Sequence, residues 1–338
     1  IILFLIMKID YRVQSEYKSV DLKKLRPKNS YKKLIEGRSD PIKELIKKFD
    51  RIPRDLLKKR KCPNCNSNSH KLELEKDYLK IVRCKSCDLV FTNPIFDEDH
   101  YEKVYNSKTY QNIVKDLGES SHLYRRKRFG EERIKAISNY VKKKNLSFLD
   151  IGCSTGFVVE SAKNFGWKAE GIDLNSSAIT FGKARGLELH NADLFKMEFK
   201  KRFDVITMYD VLEHLVDPKK TLIRVKNLLN KKGIVHIYVP NYDSASRILM
   251  GKDAHFIWPT HHLTYFTIST INDFLSRRGF KVLDIKTEGL DIFDYLWREE
   301  NIKKKKNSSL LSIADELQFF INAGGYGKNL RILAQKNK

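Results

Sequence analysis

The chain has 338 residues, with 65 Lys+Arg against 42 Asp+Glu and a formal net charge of +23. That length suits two domains, and 41% hydrophobic residues supply a large core, which excludes a wholly disordered chain. No apolar run reaches the ~18 residues that cross a bilayer, and five cysteines in so long a chain do not make a disulfide scaffold, so a reducing, cytoplasmic compartment is expected.

The opening apolar run, Ile1 to Met7, has no basic flank and no small-residue cleavage site, so it reads poorly as a signal peptide, and Met7 is a candidate start. Residues 1–60 form a basic leader. Within it Asp40-Pro41, followed by Ile42, Leu45, Ile46 and Phe49, predicts a short amphipathic helix with an Asp cap and Pro in its first turn. Basic runs recur at Lys58 to Lys61, Arg125 to Arg128, Lys142 to Lys144 and Lys303 to Lys306. They are compatible with a phosphate-tracking surface, but Lys outnumbers Arg and no aromatics interleave, so solvated faces explain them as well.

Residues 61–96 hold Cys62-Pro-Asn-Cys65 and Cys84-Lys-Ser-Cys87, two C-x2-C pairs 18 residues apart. Two such turns facing each other supply the four sulfurs of a tetrahedral Zn²⁺ site, with Lys71 to Glu75 and Leu79 to Arg83 as the hairpin of a zinc ribbon. A redox C-x-x-C is the competing reading, but it normally follows a strand of a thioredoxin-like unit. Four cysteines leave no open position, so the metal is expected to be structural. His70 reads as a surface histidine.

Residues 97–145 predict a helical connector, ending in Ile134, Ile137, Tyr140 and Val141 at helical spacing. From residue 146 short apolar runs alternate with helix-length segments: Phe148 to Ile151, Lys168 to Ile172, Leu187 to His190, Phe203 to Met208 and Ile234 to Val239. Asn175 and Asp217 are placed as helix caps, with Pro218 at the first helical position. The expectation is an α/β fold, a doubly wound and mostly parallel Rossmann-like sheet. After an irregular segment at 240–268, a helix near Ser269 to Arg278, a strand at Phe280 to Ile285 and a final strand at Leu330 to Ala334 follow.

Phe148-Leu-Asp-Ile-Gly-Cys-Ser-Thr-Gly156 carries the most chemistry. A strand runs into a glycine-bearing turn and a helix opens beyond it, a cradle for an anionic ligand group. The dinucleotide fingerprint requires glycines where this chain has Ser154 and Phe157, so nicotinamide and flavin dinucleotides fit poorly. Asp173 closes the second strand, where a carboxylate can accept both hydroxyls of a ribose, and Asp193 follows the third, where an adenine amine can be read.

These residues resemble the motifs of class I S-adenosylmethionine-dependent methyltransferases: LDIGCSTG, GIDL, ADL and FDVITMYDVLEHL in order, then Leu228 to Gly233 with Val235 to Asn241, and His262 to Thr267. The resemblance spans about residues 146 to 337 and is closest to the small-molecule, sugar-type subgroup, which often carries a zinc-ribbon leader. Ser154 departs from the commoner glycine. The resemblance implies a methyltransferase domain over 146–338, with a lid or acceptor insertion at 240–268. It implies that Asp150, Gly152, Cys153, Ser154 and Gly156 line the methionine part of S-adenosylmethionine. Asp173 and Leu174 would hold the ribose, Asp193 and Leu194 flank the adenine, and Tyr209 and Asp210 close the site. Core packing is the other reading of Leu174 and Leu194, a small packing residue that of Cys153, and a helix N-terminus partner that of Asp150.

An acceptor that loses a proton needs a base, and histidine suits that task. His214 lies at the sheet's carboxyl edge, and His262 lies in the irregular segment with His261, Trp258, Tyr265 and Phe266. Both are candidate bases, and packing under the cofactor or within a lid is the alternative for each. The implied reaction is O- or C-methylation of a small, sugar-like acceptor, a nucleotide sugar among them. An RNA methyltransferase using the ribbon and the basic surface, and a non-catalytic zinc-ribbon interaction protein, are the competing readings.

Overall fold

A computed structural model of the chain describes residues 19–26, 33, 40–97, 99–101, 108–141, 143 and 145–337. Ile1 to Met7 and most of the leader up to residue 39 lie outside the described residues, as do Lys142 and Lys144 of one basic run. The strands in chain order are β1 (Leu57–Lys58), β2 (His70–Lys76), β3 (Leu79–Cys84), β4 (Val90–Thr92), β5 (Ile95–Phe96), β6 (Ser147–Ile151), β7 (Lys168–Asp173), β8 (Glu188–Asn191), β9 (Phe203–Tyr209), β10 (Leu229–Pro240), β11 (Thr264–Tyr265), β12 (Phe280–Glu288) and β13 (Asn329–Lys336).

Seven of them form one sheet in the order β12-β13-β10-β9-β6-β7-β8. The run from β8 to β10 is parallel, and β13 enters antiparallel between β10 and β12. A parallel sheet is covered on both faces, so its strands read as continuous apolar runs. Adjacent residues of β6 show this: Phe148 joins a core with Ile134, Val158 and Val159, while Leu149 joins the opposite core with Leu222, Val225 and Phe274.

Helices Phe157–Asn164, Ser176–Ala184 and Pro218–Leu228 follow β6, β7 and β9. Asn175 Oδ1 accepts from Ala178 N at 3.0 Å and Asp217 Oδ1 from Lys220 N at 3.0 Å, each satisfying an amide that the first helical turn leaves unpaired. The strand order reverses between β6 and β9, and open α/β sheets bind ligands at the carboxyl ends of the strands flanking such a reversal.

Asp40 is the first residue of the Asp40–Phe49 helix, which starts one residue earlier than its sequence suggests. Helices Lys108–Arg125 and Glu131–Ser138 are joined by a wide π turn at Arg126–Gly130. There Gly130 lets the connector approach the domain closely, because a Cβ on it would lie 2.2 Å from Ser161 Oγ. Residues 287–325, unreadable from the sequence, contain helices Asp291–Asn301, Ser308–Ser312 and Ala314–Ala323.

The cysteine-bearing segment builds a second sheet in the order β11-β4-β3-β2. Its outer strand, β11, comes from 240–268, with Thr264 opposite Phe91 and Tyr265 opposite Val90. Among the described residues, no helix is long and apolar enough to cross a membrane.

Candidate active site

The turn after β6 takes left-handed backbone three times, at Gly152 (φ 75°), Ser154 (φ 49°) and Gly156 (φ 79°). Gly152 is also a close approach, since a Cβ there would lie 2.4 Å from Val211 Cγ2. Ser154 is the position where the resemblance expects glycine, and its φ shows why: an L residue held left-handed costs about 1 kcal/mol or more. Ser154→Gly is expected to raise stability by about 0.5 kcal/mol, because glycine's greater freedom in the unfolded chain offsets part of the relief. Ser154→Val is expected to lose about 2 kcal/mol, since a branched side chain tolerates this backbone least. Denaturant unfolding of both variants checks the opposite signs.

Asp173 holds the turn in place. Its Oδ2 accepts from Ser154 N at 2.8 Å and its Oδ1 from Asn175 N at 2.7 Å, so one carboxylate joins the ends of β6 and β7. Burial pushes its pKa up, against those amide bonds. Asp150 lies beneath the turn, and its Oδ1 accepts from Thr207 Oγ1 at 2.6 Å, so its partner is a neighbouring strand and not a helix N-terminus. Burial pushes its carboxyl up to about 7. Cys153 packs where a Cβ on Gly171 would stand, 2.8 Å from its Sγ, and burial holds its thiol well above the usual range, which suits packing and not nucleophilic attack.

Asp150, Gly152, Cys153, Ser154 and Asp173 line a cavity of about 950 Å³ that also receives Asp193, Leu194, Tyr209 and Asp210, whereas Gly156 lies outside the lining and packs against Leu187 and Leu189. Asp193 Oδ1 accepts from Phe195 N at 2.8 Å and Lys196 N at 3.2 Å. Leu174 is 51% exposed, so core packing does not account for it, whereas Leu194 is buried in the core as well as lining the cavity. Tyr209 Oη lies 2.7 Å from His236 Nδ1.

Sequence reasoning missed Arg133. It arrives from the Glu131–Ser138 helix, lines the cavity, and stacks on Tyr209 (4.1 Å) and Tyr238 (4.8 Å). Its Nε is buried with no hydrogen-bond partner among the described residues. A buried guanidinium without a carboxylate is costly, and an anionic ligand group in the cavity would satisfy it. Its only sequence signal is a charged residue among the apolar positions of an amphipathic helix.

On the opposite wall Glu213, His214 and His262 converge, one ligand atom of each lying within 4.8 Å of the others. The two imidazoles meet edge to face at 4.6 Å. His262 Nδ1 is 2.7 Å from Phe256 O, and His214 Nδ1 is 3.1 Å from His261 O. A carbonyl only accepts, so Nδ1 carries the hydrogen in each neutral ring and the lone pair sits on Nε2. Glu213 is 1% exposed with neither carboxylate oxygen hydrogen-bonded, and burial, reinforced by the Asp210 carboxylate, holds its pKa well above the usual range. The trio can also chelate a divalent cation, which would draw Glu213 into its ionised form.

The cysteines form the third group. Cys62, Cys65, Cys84 and Cys87 place all four Sγ atoms within 4.8 Å of one another, with Cys62–Cys87 and Cys65–Cys84 at 3.5 Å. Zn–S bonds of about 2.3 Å put tetrahedral sulfurs about 3.8 Å apart, so the set fits zinc with small adjustments. This module reaches the active site directly. Thr92 N and Oγ1 donate to Leu263 O at 3.0 Å and His262 O at 3.1 Å. The half-buried Arg60 guanidinium donates to Thr92 O, Val216 O and Leu263 O.

Residues 122–285 match the family model described as "Methyltransferase domain". This segment is a class I methyltransferase domain. Among curated proteins the chain is similar to the mitochondrial ubiquinone biosynthesis O-methyltransferase of Saccharomyces cerevisiae, 31% identical over 169 residues that cover 44% of this chain and 54% of that one. It is also similar to the ubiquinone biosynthesis O-methyltransferase of Thiobacillus denitrificans, 29% identical over 117 residues covering 32% and 50%. The chain spans about half the length of the curated relatives it matches first. Among solved structures it resembles a chain of the complex between the Haloferax volcanii Trm112 methyltransferase activator and the putative methyltransferase. The TM-score is 0.50 at 12% identity, covering 68% of this chain and 97% of that one, a likeness of fold. In the methyltransferase domain the turn after β6, Asp173 and Asp193 occupy the carboxyl edge of the sheet, and the matched segment starts within the Lys108–Arg125 helix. That helix lies directly on the turn: a Cβ on Gly118 would stand 2.8 Å from Thr155 Cγ2, and His122 Nδ1 is 3.0 Å from Thr155 Oγ1.

Proposed function

We propose that the protein transfers the methyl group of S-adenosylmethionine to a hydroxyl oxygen of a small-molecule acceptor, and that its four clustered cysteines hold a structural Zn²⁺. One observation carries this reading. A single cavity joins the turn at 152–155, Asp173 and Asp193 to a wall where two histidines carry Nε2 lone pairs. The ubiquinone-pathway relatives, O-methyltransferases by name, support oxygen as the methylated atom. S-adenosylmethionine supplies an electrophilic methyl on a sulfonium, so the protein's work is positioning and proton removal. Asp173 accepts from the ribose hydroxyls and Asp193 from the adenine amine. Arg133 meets the carboxylate of the amino-acid tail, and Gly152, Cys153 and Ser154 let that tail lie against the backbone, while Gly156 closes the turn behind them with its left-handed backbone. Leu174 and Leu194 flank the adenosine, while Tyr209 and Asp210 close the site from β9.

His262 Nε2 takes the acceptor's proton as the oxygen attacks, its imidazole held in the correct tautomer by Phe256 O. His214 stands edge-on beside it and steers the ring. Phe256 and Trp258 cover this end of the cavity and exclude water. A sugar hydroxyl, that of a nucleotide sugar included, meets these requirements, as does a phenol. The reading places the chain in the reducing cytoplasm, where metal-binding thiolates stay unoxidised.

Calorimetry with S-adenosylmethionine and S-adenosylhomocysteine tests the cofactor half. Asp173→Ala is expected to weaken both by at least about tenfold, the worth of a charge-assisted hydrogen bond or more. Equal affinity for wild type and variant would remove the ribose role.

A further inference from the structure

Glu160, His122 and Thr155 form a buried relay that ends at the cofactor turn and has no part in the reaction above. His122 comes from the Lys108–Arg125 helix and is 1% exposed. Its Nε2 lies 2.7 Å from Glu160 Oε2, and its Nδ1 lies 3.0 Å from Thr155 Oγ1. Burial opposes ionisation of Glu160, but hydrogen bonds from Arg185 and His122 outweigh it and hold the carboxyl below its usual value. Arg185 Nη2 reaches Glu160 at 3.1 Å, and Arg126 Nε stands 3.6 Å from it. An ionised carboxylate only accepts, so the hydrogen sits on His122 Nε2. Burial pushes the pKa of His122 down, against the Glu160 hydrogen bond, so the ring is neutral at neutral pH. Its Nδ1 therefore carries the lone pair and takes the single hydroxyl hydrogen of Thr155.

A free threonine hydroxyl rotates to donate or to accept. Here the hydrogen is committed inward, and Thr155 Oγ1 has only lone pairs left for a ligand. Its side chain makes no other hydrogen bond among the described residues. Thr155, Ser154 and Gly118 line the same cavity. A Cβ on Gly118 would stand 3.5 Å from Ser154 Oγ and 3.6 Å from Thr155 Oγ1, so its absence leaves room beside both hydroxyls. An oxygen that can only accept favours a cationic donor and offers nothing to a carboxylate. The amino-acid tail of S-adenosylmethionine carries one of each, and Arg133 already faces the carboxylate.

We infer that His122 is a positioning residue for the cofactor: held by Glu160, it turns the Thr155 hydroxyl into an obligate acceptor for the ammonium group of the amino-acid tail. The role rests on the methyltransferase reading and gives the two charged ends of the tail separate partners. A purely structural tie between the helix and the turn would hold the cofactor with or without its ammonium group.

The test titrates the full chain calorimetrically with S-adenosylhomocysteine and with its deaminated analogue, which keeps the carboxylate and has hydrogen in place of the ammonium. Thr155→Val keeps the branched shape and removes the hydroxyl, while His122→Phe keeps a ring and removes the acceptor. Each is expected to weaken S-adenosylhomocysteine at least about tenfold and to leave the analogue within about twofold. His122→Asn, whose Oδ1 stands near the position of Nδ1 and accepts from Thr155, is expected to recover most of the affinity lost in His122→Phe. If His122→Phe fails to fold, Thr155→Val and His122→Asn carry the comparison. Equal weakening of both ligands makes His122 a structural tie and overturns the role, as does S-adenosylhomocysteine binding indifferent to these substitutions. Failure of the wild type to bind S-adenosylhomocysteine overturns the methyltransferase reading and the role with it, whereas a failed prediction in the variants leaves that reading standing.

Discussion

Replacing His262 by Asn is expected to lower kcat by about 10² to 10⁴, the usual worth of a general base, while leaving S-adenosylmethionine affinity unchanged. The substitution isolates the proton-accepting nitrogen. Asn keeps an N–H near the position of Nδ1, where it can still donate to Phe256 O, and the main-chain bond from Thr92 Oγ1 to residue 262 is untouched. Only the Nε2 lone pair disappears. The readout is S-adenosylhomocysteine release with whichever acceptor best supports turnover in a panel of phenols, sugars and phosphosugars. A fall of less than about fivefold would move the role to His214, whose Nδ1 is committed to His261 O in the same way.

Removing the metal from the cysteine cluster is the second large effect expected. A structural zinc contributes on the order of 10 kcal/mol of folding free energy in small modules, and β2 to β4 have little core of their own. Four thiols within 4.8 Å of one another, Cys62 and Cys84 buried and Cys65 and Cys87 half-buried, lose their shared partner without it. The consequence does not stay local. β4 pairs with β11, Thr92 holds His262 O and Leu263 O, and Arg60 ties Thr92, Val216 and Leu263 together. Chelation, or the Cys84→Ser and Cys87→Ser pair, is therefore expected to raise hydrogen exchange across residues 256–266 and to lower turnover at least tenfold. Cofactor binding at Asp173, on the far side of the cavity, is expected to survive. Metal analysis of the untreated protein should find one zinc per chain. Unchanged exchange at 256–266 after metal removal would show that the lid stands without the ribbon.

The Asp173→Ala test carries a structural complication that the geometry itself resolves. Asp173 also accepts from the Ser154 and Asn175 amides, so its loss loosens the turn as well as the ribose contact. The Ser154 substitutions perturb the turn alone, and comparing cofactor affinity across the two sets separates the contributions.

The amino-acid sequence by itself determined the alternation of strand and helix from residue 146, the capped helices at Asn175 and Asp217, the hairpin between the cysteine pairs and the small-residue turn at 152–156. Each has a local cause: a period of two or 3.6, a capping side chain, a residue that tolerates positive φ. Only the tertiary structure decided that β11 leaves the methyltransferase domain to finish the ribbon's sheet, and that Glu213 and His214 meet His262 on one wall of the cavity. It alone decided, too, that Arg125 and Arg133, from helices ahead of β6, turn into that cavity. Two of the three helices in 287–325 were equally hidden, for Asp291–Asn301 and Ala314–Ala323 begin without a side-chain cap. These features depend on contacts between residues far apart in the chain, and a charged residue on a helix looks the same in sequence whether it faces water or a ligand. Burial without a counter-ion, visible only once the chain is folded, is what marks it.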